Sequence, residues 1–595
     1  MHRSTPTELP APTERPTGVS WLGQRQARAR RLLAACALGL SLLSTARGQQ
    51  ASVERTPRAP NVLLILADDL GYSDLGCYGA EIPTPNLDAL AANGLRYTQA
   101  YTSARCCPTR ASLLTGLHPH LAGIGSFTRK TPHKKRGPAY LGRLTDRCVT
   151  LAEVLKGNGY QTFMVGKWHV GEQTGPIERG FDEFYGFRAG YEQDQWEPRR
   201  YERLPRGRAI EARADADGDE RFYATDVFSD QALAFLDQAE QRPEQPWFLY
   251  LAHGAPHFPV QAPKASVDAL VETYRAGWDT LRSARYARML ASGLATDGWT
   301  LTERAIVPVD EDLLTAGYGG ARNPAWATLP AERREDLARR MAVFAAMVSH
   351  VDRGVGELVA KLRETDQLDD TLIVFLSDNG ACYEWGPFGF DGPSRRGGAK
   401  LHAGEELAQM GGPGTYHAYG SAWANLGNTP FRLYKHFTHE GGLAVPMIAH
   451  WPNGIAAPDR WVRDPVHVMD LMPTLCEVAG ADYPTSRGAA AVQPTTGVSL
   501  APTFAGDALA DRTLCFEHQA ARAVRRGRYK AVWGKRMPQA PTWELYDLQT
   551  DRCETNDLAA ARPALTAELA AAWQRWAVAV GVHPFWQEAQ QREQK

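Results

Sequence analysis

At 595 residues the chain exceeds what one hydrophobic core usually organises, and 44% hydrophobic with 22% charged residues is an ordinary globular composition. Lys and Arg total 66 against 67 for Asp and Glu, a net charge of −1, which excludes the global positive field that recruits nucleic acid or an anionic membrane. Positive charge at any functional site is therefore local.

Residues 1–48 read as an export signal. Arg25, Arg28, Arg30 and Arg31 precede an apolar run at 32–43 that is too short to span a bilayer, and Ser44, Ala46 and Gly48 offer two cleavage points. A periplasmic or secreted location is expected, with no later stretch apolar enough for a membrane span. Leu33-Ala34-Ala35-Cys36 has the composition of a lipid-attachment box, but it opens the apolar run instead of closing it.

After a polar segment at 51–60, residues 61–67 form a continuous apolar run, the pattern of a strand buried on both faces. Similar runs at 160–165, 246–252 and 371–376 are separated by helical periodicity at 87–93, 151–158 and 337–365. This alternation predicts an α/β fold, a large mixed, mostly parallel sheet sandwiched by helices. Residues 256–330 and 383–429 read as loops long enough to be functional. Periodicity lapses over 482–502, a linker rich in Pro, Thr, Gly and Ala. Beyond it, short strand patterns at 515–518, 523–524, 529–533 and 543–548 and an Ala-rich helix at 563–580 predict a smaller C-terminal domain with an antiparallel sheet and a helix. The expected domains are 58–485 and 503–585.

Several apolar runs end in polar residues: Asp68 and Asp69, Lys167 and His169, His253 and His257, Ser377, Asp378 and Asn379. Ligands of open parallel sheets bind outside the carboxyl ends of the strands, so these groups should converge. Three carboxylates and an amide in one place call for a hard cation, calcium ahead of magnesium. Either acidic pair alone would read as a turn or helix cap; together they favour a metal site.

A second element is Cys106-Cys107-Pro108-Thr109-Arg110, followed by Leu113, Leu114, Thr115 and Gly116. Pro108 suits the first turn of a helix and Gly116 its end, so Cys106 stands at a helix N-terminus, where Arg110 adds positive charge for an oxyanion. Without further support, Cys106 and Cys107 would read as buried structural cysteines. His518 reads equally as a substrate contact or a structural hydrogen-bonding group. Asn425, Asn428 and Thr429 either shape a pocket or face water. Trp385 and Trp423 either stack on a ring or pack in the core.

The Cys106 element resembles the sulfatase signature Cys-x-Pro-x-Arg, matching at Cys106, Pro108, Arg110, Thr115 and Gly116. Further similarity runs in order through residues 60–71, Gly166-Lys167-Trp168-His169, Ala255-Pro256-His257, Ser377-Asp378-Asn379-Gly380, Lys435 to Pro446 and Trp543 to Leu548, over roughly 58–580. The detail is most similar to bacterial arylsulfatases. The resemblance implies that a separate maturation enzyme oxidises Cys106 to formylglycine, and that one Ca²⁺ is held by Asp68, Asp69, Asp378, Asn379 and the modified Cys106. It further implies Arg110 and Lys167 as electrostatic anchors, His169 as the base, and Lys167, His257 and Lys435 as sulfate-binding and leaving-group residues; His518 stays a candidate substrate contact from its position in the small domain alone.

In the implied reaction one hydroxyl of the aldehyde hydrate attacks sulfur, and deprotonation of the other breaks down the resulting sulfate hemiacetal. The substrate would be an aryl or carbohydrate sulfate ester. A phosphate or phosphonate ester hydrolase and a non-catalytic binder of sulfated glycans are the alternatives. Of nine cysteines, eight remain after loss of Cys36 and seven after conversion of Cys106, so at least one would be unpaired.

Overall fold

The computed structural model describes residues 59–131, 136–190, 194–205, 222–396 and 398–584. The export signal, Cys36 and most of the polar 51–60 segment lie outside the described residues. In chain order the large sheet comprises β1 (Asn61–Ala67), β2 (Leu95–Tyr101), β3 (Gln161–Lys167), β4 (Glu183–Phe187), β5 (Glu202–Leu204), β6 (Trp247–Ala252), β7 (Thr371–Ser377), β8 (Ala444–His450), β9 (Arg460–Val462) and β10 (Val466–His467). Its spatial order is β10-β2-β8-β7-β1-β6-β3-β4-β5, with β9 on β2. The centre, β7 through β4, is parallel, whereas β8 is antiparallel to both its neighbours and β5 is antiparallel to β4.

The uninterrupted apolar runs have the predicted cause. Val62, Leu64 and Leu66 enter one core with Met164, Phe248 and Val374, while Leu63 and Ile65 enter a second core on the opposite face with Val165, Leu249 and Phe375. The first face is covered by α1 (Cys106–Thr115), through Leu113 and Leu114, and by α2 (Leu151–Gly157), whose start is fixed by a reciprocal capping box between Thr150 and Glu153. On the other face lie α3 (Ala224–Ala239) and the long α4 (Ala331–Glu364), which contribute Phe228, Phe235, Leu337 and Phe344.

Three stretches carry more structure than their sequences suggest. The 256–330 segment contains the helices Lys264–Asp268, Val271–Tyr274 and Gly277–Ala291. The last buries Arg282 and Arg285 beside Trp278 and Met289, so cations interrupt its apolar stripe; Arg285 is neutralised by Asp74 at 2.6 Å and Glu81 at 2.7 Å. The 383–429 segment contains the short helices Gly404–Ala408 and Gly420–Gly427. Within the 482–502 stretch a hairpin joins β11 (Ser486–Arg487) to β12 (Ala490–Ala491).

The C-terminal antiparallel sheet has β13 (Thr513–His518), β14 (Ala521–Arg526), β15 (Tyr529–Trp533) and β16 (Trp543–Asp547) in sequential order, with α5 (Pro563–Val580) against it. Its strands alternate strictly. Phe516, Ala523, Val532 and Tyr546 join the core of the large sheet, whereas Cys515, Val524, Ala531 and Leu545 pack with Leu569 and Trp573 of α5. The eight described cysteines are all free thiols. Among the described residues no helix is long and apolar enough to cross a membrane.

Candidate active site

Strand register builds the site. Ala67 pairs with Ser377, Leu66 with Ala252, and Ala252 with Gly166, so β1, β7, β6 and β3 end side by side. Asp68, Asp378, His253 and Lys167 therefore emerge along one edge. The chain turns sharply there: Asp69 and His169 hold φ of 69° and 52°, in the left-handed region that is uncommon for side-chain-bearing residues and that Asp and His enter more readily than most.

Asp68, Asp69, Asp378 and Asn379 come together and are buried. Asn379 Nδ2 donates to Asp69 Oδ1 at 2.7 Å, and the Asp69 amide donates to Asp378 Oδ1 at 3.3 Å. Cys106 occupies the first turn of α1, whose ten residues are all buried and whose C-terminus is closed by Gly116 at φ 68°. Carboxylate oxygens of Asp68 and Asp378 and the Cys106 sulfur lie within 4.8 Å of one another. Arg110, one turn along the same helix face, grips Asp378 with Nε at 2.9 Å and Nη2 at 2.8 Å. Lys167 pairs with Asp68, and Lys435 Nζ is 2.7 Å from Asp69 Oδ2. His257 Nε2 is 3.4 Å from the same Asp69 oxygen, and its Nδ1 donates to the Phe258 carbonyl at 2.6 Å.

Three cations thus stand against three carboxylates, and their formal charges cancel. Locally they do not. Burial and the neighbouring Asp68 push the Asp378 carboxyl well above the usual carboxylate range, against the pull of Arg110. Asp68 Oδ1 and Asn379 Oδ1 are buried with no hydrogen-bond partner. Two orphaned hard oxygens beside an overcrowded carboxyl are what a small cation would satisfy, so the residues present fit a calcium-type ion.

Burial opposes ionisation of the Cys106 thiol, but a hydrogen bond with Cys107 and the charges of His169, Lys167 and Lys435 hold it well below the ordinary thiol range. Burial also depresses His169, to about 4, so its imidazole is the free base at neutral pH and the lysines carry the electrostatic effect on residue 106. A ring nitrogen of His169 lies within 4.8 Å of the Cys106 sulfur. Gly190 backs this ring so closely that a Cβ there would stand 2.1 Å from His169 Nε2.

Cys106 and His257 open onto a cavity of about 710 Å³. Arg105, Glu384 and His436, which sequence reasoning passed over, also line it. His436 Nε2 lies 2.7 Å from Arg105 Nη1 and 2.9 Å from Glu384 Oε1. The available signal was adjacency, since Arg105 precedes Cys106 and His436 follows Lys435. His518 is fully buried behind His436, 3.2 Å from its Nδ1, and does not line the cavity.

His253 is buried and also stands outside the lining. Asn425, Asn428 and Thr429 neither line the cavity nor face water. Asn428 Oδ1 accepts from Ala381 N at 3.0 Å while its Nδ2 donates to Leu433 and Gly441 carbonyls at 2.9 and 2.7 Å, tying the Asn379 and Lys435 loops together. Trp385 lines the cavity; Trp423 is core, donating to the Leu337 carbonyl at 2.9 Å.

The chain matches known proteins over most of its length. The family profile described as Sulfatase matches residues 60–481, and one described as N-sulphoglucosamine sulphohydrolase, C-terminal, matches 431–573. An uncharacterized sulfatase of Schizosaccharomyces pombe is 32% identical over 546 residues, covering 88% of this chain and 94% of that protein. An arylsulfatase of Klebsiella aerogenes is 33% identical over 477 residues, covering 78% and 96%. Among solved structures, Ps i-CgsB in complex with k-i-k-neocarrahexaose superposes with a TM-score of 0.58 at 26% identity, covering 87% and 93%. With a strand-edge cluster of acids, cations and Cys106 set in a fold matched along most of its length, the chain belongs to the sulfatase family and is an enzyme that hydrolyses sulfate esters.

Proposed function

We propose that the chain cleaves sulfate monoesters at a formylglycine derived from Cys106, beside one Ca²⁺ held by Asp68, Asp69, Asp378, Asn379 and the modified residue. The observation that carries this reading is the pair of buried, unpartnered oxygens, Asp68 Oδ1 and Asn379 Oδ1, in a site where carboxylate oxygens of Asp68 and Asp378 approach the Cys106 sulfur. When bound, the ion would supply charge compensation and Lewis acidity, and the aldehyde hydrate one hydroxyl to attack sulfur and another whose deprotonation releases sulfate.

The remaining chemistry belongs to side chains already in place. Lys167 and Lys435, anchored on Asp68 and Asp69, present fixed positive charge to the sulfuryl oxygens without reorganising during the reaction. Arg110 positions Asp378 through the Nε hydrogen bond to Oδ2, with its charge beside the same oxygen. His169, a free base at neutral pH, accepts a proton from residue 106. The Phe258 carbonyl accepts a hydrogen bond from His257 Nδ1 and so aims Nε2 inward; burial holds this ring below the ordinary histidine range, so Nε2 must first take up a proton before it donates to the leaving oxygen. The charge count is consistent. The three carboxylates cancel Arg110, Lys167 and Lys435, and a divalent ion is matched by a monoanionic ester and an ionised residue 106. Export and conversion of Cys106 by a maturation enzyme belong to the same reading.

Turnover of matched aryl sulfate and aryl phosphate esters, before and after chelation, tests it. The sulfate should be preferred by at least about tenfold in kcat/KM, with both activities lost on chelation. Preference for the phosphate, or full activity in the chelated protein, would overturn it.

A further inference from the structure

The cavity that reaches Cys106 is larger than one sulfate group needs, and the charge of its lining is lopsided. Five arginines face it, against Asp194 and Glu384. Arg105 is engaged by His436 and Glu384. Arg395 is paired with Asp310 at 2.9 Å, and the guanidinium carbons of Arg395 and Arg536 lie 4.7 and 5.5 Å from the centroid of the Trp385 ring. Ser394 Oγ in turn accepts from Trp385 Nε1 at 2.9 Å, which fixes that ring. Arg200 and Arg396 have no ion-pair partner among the described residues, and both are exposed.

We infer that Arg200 and Arg396, with the Arg395–Trp385–Arg536 stack, form a second anion subsite in this cavity, so that the substrate is a sulfated carbohydrate carrying at least two anionic groups. The inference rests on the proposed hydrolysis at residue 106 for the first sulfate. Guanidinium groups suit it because their planar forks meet a sulfate or carboxylate with two parallel hydrogen bonds. Trp385 is buried with both guanidiniums over its ring, so it holds Arg395 and Arg536 in place, and a sulfated carbohydrate is the class of sulfate ester that repeats anionic groups along its length. A compact aryl sulfate or a steroid sulfate has no group for unpaired guanidiniums. Either would leave these two exposed guanidiniums to water and gain nothing from them.

The test uses a galactose disaccharide with one sulfate ester and the same disaccharide with a second sulfate on the neighbouring ring. Binding of both to the Cys106→Ala protein is measured by calorimetry at low and high salt, and their turnover is measured with the matured enzyme. The disulfated compound should bind at least roughly tenfold more tightly at low salt, the advantage shrinking as salt rises. In an Arg200→Glu/Arg396→Glu double variant that ratio should collapse toward one; both residues are exposed, so folding is not at stake. Equal binding of the two compounds, or a ratio untouched by the double variant, would overturn the subsite. Preferential binding without turnover of either compound would sink the hydrolysis at residue 106 and leave the subsite standing.

Discussion

His169 combines a left-handed backbone, a buried ring and a glycine at its back, a set of constraints that fixes one imidazole orientation. Burial works against its charged form more strongly than the Cys106 sulfur favours it. The sign follows: with the pKa held below the ordinary value, the free base persists as pH falls and protonation begins only near about 4. NMR titration of the His169 ring should accordingly show no protonation between about pH 5.5 and 8, and His169→Ala should lose about 10²- to 10⁴-fold in kcat. A ring titrating near the ordinary histidine value, or an alanine variant of near-normal rate, would remove it as the base.

At the scale of elements, the small sheet is latched to the segment that carries Lys435. Lys530 of β15 reaches Glu440 at 2.6 Å and Glu554 at 2.9 Å, Arg552 also pairs with Glu440, and Lys530, Glu440 and Glu554 are almost wholly shielded from solvent. Removing one partner of such a cluster strands buried charge. Lys530→Met should therefore lower stability by about 3–5 kcal/mol in denaturant unfolding, and a change within about 0.5 kcal/mol would show that the cluster is not a latch.

The strands that carry Asp68, Lys167 and Asp378 were legible because both their faces are buried and their runs are uninterrupted. β8 was not. Pro446 interrupts it in the middle of the sheet, the register against β2 shifts between Val445 and Met447, and Tyr78 Oη accepts the Met447 amide at 3.1 Å in place of a strand partner. The helix Gly277–Ala291 was masked by its buried arginines, whose partners Asp74 and Glu81 lie some two hundred residues earlier. The metal-type quartet and Cys106 were readable as strand-end and helix-start residues. The layer around them, Arg105, Glu384 and His436, depends on contacts between distant loops, and local pattern does not encode those.

For the molecule as a whole, the large sheet supplies the acids and Lys167, α1 supplies Cys106 and Arg110, and the 383–429 segment and the small sheet wall the cavity through Trp385 and Gln519. The arrangement surrounds residue 106 with fixed charge, while the cavity walls come from loops that differ in composition from the core. All of the proposed chemistry depends on one change to one residue. Mass spectrometry of the tryptic peptide Cys106–Arg110, from protein made in a host with the maturation enzyme, tests that directly. The mass should be lower by the difference between a CH₂–SH and a CHO side chain, with the aldehyde reacting with a hydrazine; an intact, unmodified thiol in catalytically active protein would contradict the account.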